Sequence, residues 1–183
     1  VLFRSFTMGL TEGWESVADG TMFPTAPGTI AGTFRPKSYQ LHNLRAHEVR
    51  ADMEEFWKKL RQVNPHARML LTVSPVPLAA TATNNHVLVA TTWSKSVLRS
   101  VAGELAEDHS DIHYFPSYEI ISSHPARGMF FDPDLRNVNA YGVDLVMRHF
   151  FSGHLATEFS ETNNLIDDEV ELICDESRID ANE

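Results

Sequence analysis

The sequence predicts an α/β fold, a three-layer α/β/α sandwich on a mostly parallel sheet. Two observations carry that expectation. Short apolar runs alternate with stretches of helical periodicity through the first 150 residues. The run Met69-Leu70-Leu71-Thr72-Val73 is apolar on both faces, as a central parallel strand covered by helices on either side must be. A chain of 183 residues with 43% hydrophobic content, three Trp and eleven Phe has the material for one such core.

Taken in order, Phe3 to Met8 is a short apolar run closed by Gly9 and reads as a buried strand. From Glu15 to Asn43 the residues Pro24, Pro27, Gly28, Gly32 and Pro36 interrupt any sustained period, so a long ordered loop is expected. Val49, Met53, Phe56/Trp57, Leu60 and Val63 then recur every three or four residues before Asn64-Pro65, which predicts an amphipathic helix. The strand Met69–Val73 ends at Ser74-Pro75-Val76-Pro77, where prolines forbid further ladder bonds. A second helix is expected from about Thr92 through Val97/Leu98, Val101 and Leu105. Ile112-His113-Tyr114-Phe115 forms another strand, broken by Pro116. A last helix fits Ala140 to Phe150, with Asn139 as its N-cap.

This alternation implies parallel strands joined by right-handed crossovers, with sites at the carboxyl ends of the strands. Those ends are Gly9-Leu10-Thr11-Glu12, Ser74-Pro75-Val76-Pro77 and Pro116-Ser117-Tyr118-Glu119.

Charge divides the chain differently. The formal net charge is −10, and from residue 153 onward ten acids face only Arg178. Residues 1–152 are therefore read as the domain and 153–183 as an acidic segment. That segment is solvated by default, or holds a short strand or helix at Val170-Glu171-Leu172-Ile173-Cys174. The nearly neutral body has no basic stripe to neutralise phosphates, so nucleic acid is not an expected partner. No run approaches the roughly 20 apolar residues of a membrane helix, and Val1 to Ser5 lacks a signal-peptide layout, so no membrane association is expected either. The single cysteine, Cys174, allows no internal disulfide, fits a reducing cytoplasm, and is inert among negative neighbours. No metal or cofactor is expected, and the oligomeric state is left open.

Three blocks are distinctive: Thr7-Met8-Gly9-Leu10-Thr11-Glu12-Gly13-Trp14, Leu71-Thr72-Val73-Ser74-Pro75-Val76-Pro77-Leu78 and Tyr114-Phe115-Pro116-Ser117-Tyr118-Glu119-Ile120. With Ser94-Lys95-Ser96 and Asp134-Leu135-Arg136-Asn137 they resemble the GSCFA domain family, in order from about Phe6 to Phe150. That family belongs to the SGNH hydrolase-like group, so the resemblance implies a flavodoxin-like sandwich. It also implies an ester or acyl hydrolase or acyltransferase, acting on a small-molecule or carbohydrate acyl ester. The family's Gly-Ser-Cys-Phe-Ala motif, whose Ser resembles the SGNH nucleophile, does not occur in these 183 residues. The first strand and its nucleophile are accordingly expected upstream of Val1, and the chain alone is expected to be inactive and poorly stable.

Such chemistry needs a nucleophile, a base, an orienting carboxylate and oxyanion donors. The block Gly9-Leu10-Thr11-Glu12 resembles the Gly-x-Asn-Asp block of SGNH enzymes, which places Thr11 at the oxyanion-donor position. The competing reading has Gly9 making a tight turn and Thr11 and Glu12 bonding local backbone. Asp134 matches the family's acid, but Asn137 stands at the family's His position and cannot act as a base. The other histidines of that region, His124, His149 and His154, lie at the wrong spacing. Ser94 and Lys95 are expected at a helix start, where free N–H groups and an ammonium suit an anion, or simply cap the helix and leave the Lys in water. Tyr118 and Glu119 are expected at a strand end, either lining the pocket with the Glu paired to Arg or to a sugar hydroxyl, or supporting it through a buried structural hydrogen bond. Ser74 borders the pocket but lacks the Gly-x-Ser-x-Gly elbow of a nucleophile. A non-catalytic module that keeps the pocket is the rival reading, with Asn137 as its main support.

Overall fold

A computed structural model describes residues 3–30 and 32–160. These fall into two units divided between Met147 and Arg148, and the site described below lies in the first. The expectations placed on Cys174 and on Val170 to Cys174 lie outside the described residues.

Three strands form the parallel sheet: β1 (Phe3–Met8), β5 (Arg68–Val73) and β6 (Ile112–Tyr114), ordered β1-β5-β6. The register runs from Phe3↔Arg68 to Met8↔Val73 and from Met69↔Ile112 to Leu71↔Tyr114. Five successive residues of β5, Met69 to Val73, are buried, which is why the sequence there shows no polar alternation.

Two helices cover the face that carries Met69, Leu71 and Val73. α1 (Ala46–Val63) contributes Val49, Met53 and Trp57, and α2 (Val87–Asp108) contributes Val97, Leu98, Val101, Ala102 and Leu105. Each apolar stripe follows the three-and-four spacing read from the sequence, and each large side chain so buried contributes about 1.5–3 kcal/mol. Thr72 points to the opposite face. Its hydroxyl donates to Phe115 O at 2.9 Å and pairs with Ser117 Oγ at the head of α3 (Ser117–Ser122). A second cluster built on Ile121, Ala126 and Phe130, with Val138, Leu145 and Val146 against it, continues into α4 (Ala140–Ser160). The three-layer α/β/α architecture expected from the sequence is the one observed.

Three local expectations are corrected. Glu15 to Asn43 is not one loop: β2 (Glu12–Ser16), β3 (Met22–Phe23) and β4 (Tyr39–Asn43) form a separate antiparallel sheet, ordered β3-β2-β4. The strands are short and only partly buried, so burial imposes little alternation; their signal is in cross-strand pairs such as Trp14↔Leu41 and Trp14↔Phe23. Phe34 adds edge-on contact to Trp14 at 5.1 Å.

α2 begins at Val87, well before Thr92. Its cap is the His86 ring, which accepts Leu88 N–H at 3.2 Å, and its first turn carries exposed Leu88 and Val89, so neither a standard cap nor an amphipathic pattern marks the start. Lastly, Tyr118 and Glu119 do not extend a strand end but lie in α3. Asn139 does cap α4, accepting Gly142 N–H at 2.9 Å, and the helix runs on to Ser160.

Candidate functional site

The chain leaves β1 at Gly9 and crosses to the antiparallel sheet within four residues. Thr11, 1% exposed, is bonded three ways in that crossing. Its N–H donates to Ser94 Oγ at 2.8 Å, its hydroxyl donates to Asn43 Oδ1 at 2.7 Å, and its carbonyl accepts Leu44 N–H at 2.9 Å. The hydroxyl expected at the oxyanion-donor position is therefore occupied, and so is the N–H beside it. Thr11 ties β1, β4 and α2 together instead, because a buried polar residue at a crossing must find partners on each side.

Ser94 and Lys95 are not at a helix start. They sit in the second and third turns of α2, 0% and 1% exposed, where the helix N–H groups are already bonded within the helix. The lysine is not in water. Its Nζ donates to Gly9 O at 2.8 Å, and burial pushes its ammonium down to about 8. Two adjacent residues of one helix thus hold both ends of the three-residue segment Gly9-Leu10-Thr11.

Gly9 keeps a φ outside the left-handed region, unlike Gly20, Gly28, Gly32 and Gly128. A Cβ at Gly9 would meet nothing within 4 Å, so what its missing side chain leaves is open space. Gly9 also lines a cleft of about 450 Å³, together with Leu10 to Gly13, Met22, Phe23, Pro24 and Leu44. Glu12 stands at its edge, where its carboxylate accepts Thr81 hydroxyl at 2.6 Å and Ala82 N–H at 3.2 Å, closing the loop that follows β5 onto the cleft floor.

Ser74, at the end of β5, donates its N–H to Met8 O at 2.9 Å, and its hydroxyl accepts Val76 N–H at 3.2 Å. It braces the two strand ends against each other. Glu119 is held by Arg99 Nε and by Tyr114 OH, the latter at 2.8 Å, while the Arg99 guanidinium lies 4.1 Å over the Tyr114 ring. Burial raises the phenol of Tyr118, which packs against the main core. Both residues support structure, as their chemistry allows.

Asp134 and Asn137 are brought together, but with each other. Asp134 Oδ1 accepts the N–H of Arg136 and of Asn137, each at 2.9 Å, and Oδ2 accepts the Asn137 amide at 2.5 Å. Those two backbone N–H groups hold the Asp134 carboxyl below its ordinary range. The pair closes an exposed turn in which Leu135 has φ 52°, flanked by the bridge Phe131↔Val138. His124 opens a short 3-10 turn, and His149 lies in α4. Among the described residues no group of three or more His, Cys, Asp or Glu could hold a metal ion.

The sequence reading missed three features. Asn43 anchors Thr11, Met22-Phe23-Pro24 walls the cleft, and His42 bridges Glu15 Oε2 at 3.2 Å and Glu48 Oε1 at 3.1 Å. An apolar Met-Phe-Pro triplet inside a Gly/Pro-rich stretch is the one signal that marked any of them.

A family model described as the GSCFA family matches residues 3–150. Neither the search of curated proteins nor that of solved structures gave a match. Among the described residues no helix is long and apolar enough to cross a membrane.

Proposed function

The chain belongs to the GSCFA family, and from that premise we propose that it serves an SGNH-like ester or acyl hydrolase or acyltransferase reaction by holding the acyl group of a small-molecule or carbohydrate ester in the cleft at the end of β1. One observation carries the reading: a backbone segment at a parallel strand's carboxyl end, Gly9 to Thr11, is held at both ends by hydrogen bonds from α2, the one at Thr11 buried, and lines an apolar cleft of about 450 Å³. Met22, Phe23 and Leu44 give an acyl chain apolar contact, and the backbone beside them gives polar orientation. The motif Gly-Ser-Cys-Phe-Ala is absent from the sequence, so these residues bind the ester without turning it over.

The rival reading, a binding module with no chemistry, is favoured by one specific observation. The residue at the family's His position, Asn137, directs its amide into Asp134, which leaves that carboxylate engaged within its own turn.

Two assays separate the readings. Isotope-labelled chain is titrated with methyl butyrate and with acetylated sugars, and shifts concentrated at Gly9 to Gly13, Met22 and Phe23 are expected; no shift there sinks both readings. The chain is then joined behind the Gly-Ser-Cys-Phe-Ala segment of another family member and assayed on short p-nitrophenyl esters. Hydrolysis lost on Ser→Ala in that segment supports the enzyme, and absent or Ser-independent hydrolysis leaves the binding module.

A further inference from the structure

The parallel sheet ends on an open edge. β1 is the outer strand of the order β1-β5-β6, and its register against β5 runs without a break from Phe3↔Arg68 to Met8↔Val73. Met8 O accepts Ser74 N–H, so the ladder groups of Phe6 and Met8 point to β5. Those of Ser5 and Thr7, one residue out of phase, point to the other side, where no strand lies among the described residues. Neither a proline nor a bulge blunts this edge from Phe3 to Met8.

Apolar surface lies along the same edge. Phe6 shares the helix-covered face with Met8 and meets Phe56 of α1, ring centroids 5.5 Å apart, yet the two stay 39% and 41% exposed. Asp52, Lys59 and Val63 lie on the stripe of α1 that carries Phe56, and all three are exposed. Exposed aromatic surface beside a row of outward ladder groups suits a partner that brings a strand and an apolar helix face together. A second copy of the chain brings both.

We propose that this edge joins two copies of the chain, their β1 strands antiparallel about a two-fold axis at Phe6 and perpendicular to the sheet, in one continuous sheet. The alternation allows that register, and the Phe6–Phe56 contact centres it. Ser5 of each copy then stands opposite Thr7 of the other. Both have ladder groups pointing outward, so each pair exchanges two hydrogen bonds. Phe6 faces its own counterpart in a non-hydrogen-bonded pair, where side chains approach most closely and aromatic pairs add stability. A two-fold contact also requires a surface that is its own complement. Phe56 lies level with Phe6, so the two α1 helices run antiparallel on either side of the axis, and Asp52 of each copy comes opposite Lys59 of the other. Opposite charges thus flank an aromatic centre made by Phe6 and Phe56 from both copies. The contact does not rest on the acyl-site reading.

Sedimentation of the whole chain across a concentration series tests it, and a dimer of twice the single-chain mass is expected. Thr7→Pro removes one outward N–H from each copy, leaves the β5 ladder intact, and is expected to weaken the dimer about 10-fold or more. Asp52→Lys and Lys59→Asp each set like charges face to face and are expected to weaken it about 10-fold. Mixing those two variants restores opposite charges across the contact, so a mixed dimer of wild-type strength is expected; a role confined to one chain would give no such recovery. The charge variants sit on the exposed side of α1, so they decide the matter if Thr7→Pro does not fold. A chain that stays monomeric at millimolar concentration overturns the assignment and leaves the edge to a strand of another kind. A dimer indifferent to all these changes, or charge variants that do not recover on mixing, overturns it too.

Discussion

Ser94 Oγ accepts the N–H of Thr11 at 2.8 Å, joining residues 83 positions apart in a contact buried on both sides. The bond fixes where the chain leaves the parallel sheet, and so fixes the cleft floor.

Removing one partner of a buried hydrogen bond leaves the other to bear its desolvation. Ser94→Ala is therefore expected to lower stability by about 1–3 kcal/mol, more than the loss of a surface hydroxyl. Urea unfolding checks it. Ser94→Ala at wild-type stability would mean that the Thr11 N–H finds another acceptor and that the floor is not held from α2.

Lys95 predicts a rise of stability with pH. Its ammonium titrates near 8 in the folded protein against an ordinary 10.5, so between those values the unfolded chain binds the extra proton and raising the pH favours the fold. Tyr114 and Tyr118, both raised above an ordinary 10 by burial, act in the opposite direction above pH 10. The clean window is thus pH 8 to 10. Unfolding midpoints measured across it should climb in the wild type and stay flat in Lys95→Met; a flat wild-type curve contradicts the buried ammonium.

His42 predicts a change of the other sign. The hydrogen bond to Glu15, then the bond and charge of Glu48, hold its imidazolium above an ordinary 6.5. The native state keeps the proton longer than the unfolded chain, so the contribution is complete below pH 6.5 and is lost as pH rises through the raised value. The charged groups facing it are Glu15 and Glu48; Gln40 also bonds Glu15, and His47 acts on Glu48. Both glutamates stay ionised throughout this window, since their own shifts are downward from 4.5. His42→Gln should remove the decline above pH 6.5, and NMR titration of the ring should give a raised midpoint; an unshifted ring would place the histidine outside the bridge.

The parts of this fold legible in the sequence are those where burial writes a period. Val49, Met53 and Trp57 on α1, and the unbroken apolar run of β5, declare themselves because one face or both must leave water. The β2–β4 sheet does not, because its strands are short, half-buried and defined by partners such as Leu41 for Trp14. At the site, Gly9, Thr11, Ser94 and Lys95 were all legible as residues of interest, but not their relation. Sequence places Lys95 on a helix; only the crossing of α2 over the end of β1 turns a surface cation into a buried donor to Gly9. Asp134 and Asn137 show the converse: a three-residue spacing suits an acid and the position of its partner, and suits equally an Asx turn, which is what forms.

Glycine substitutions separate a residue needed by the backbone from one needed by the cleft. Gly28 has φ +95° and a Cβ there would stand 2.7 Å from Phe34 N, a backbone atom that cannot step aside. Gly28→Ala is therefore expected to cost more than the roughly 1 kcal/mol that removing glycine's freedom can return, and to loosen the Phe34 contact with Trp14. Gly9→Ala is expected to fold with little or no loss, because its φ is ordinary and its Cβ enters open space. Gly9 lines the cleft, so a methyl added there should make acyl probes bind several-fold more weakly, the cost of about one kcal/mol of misfit. Unfolding curves and methyl butyrate titrations on the two variants give the comparison. A Gly9→Ala chain that folds and binds as the wild type does would move the acyl site away from the end of β1.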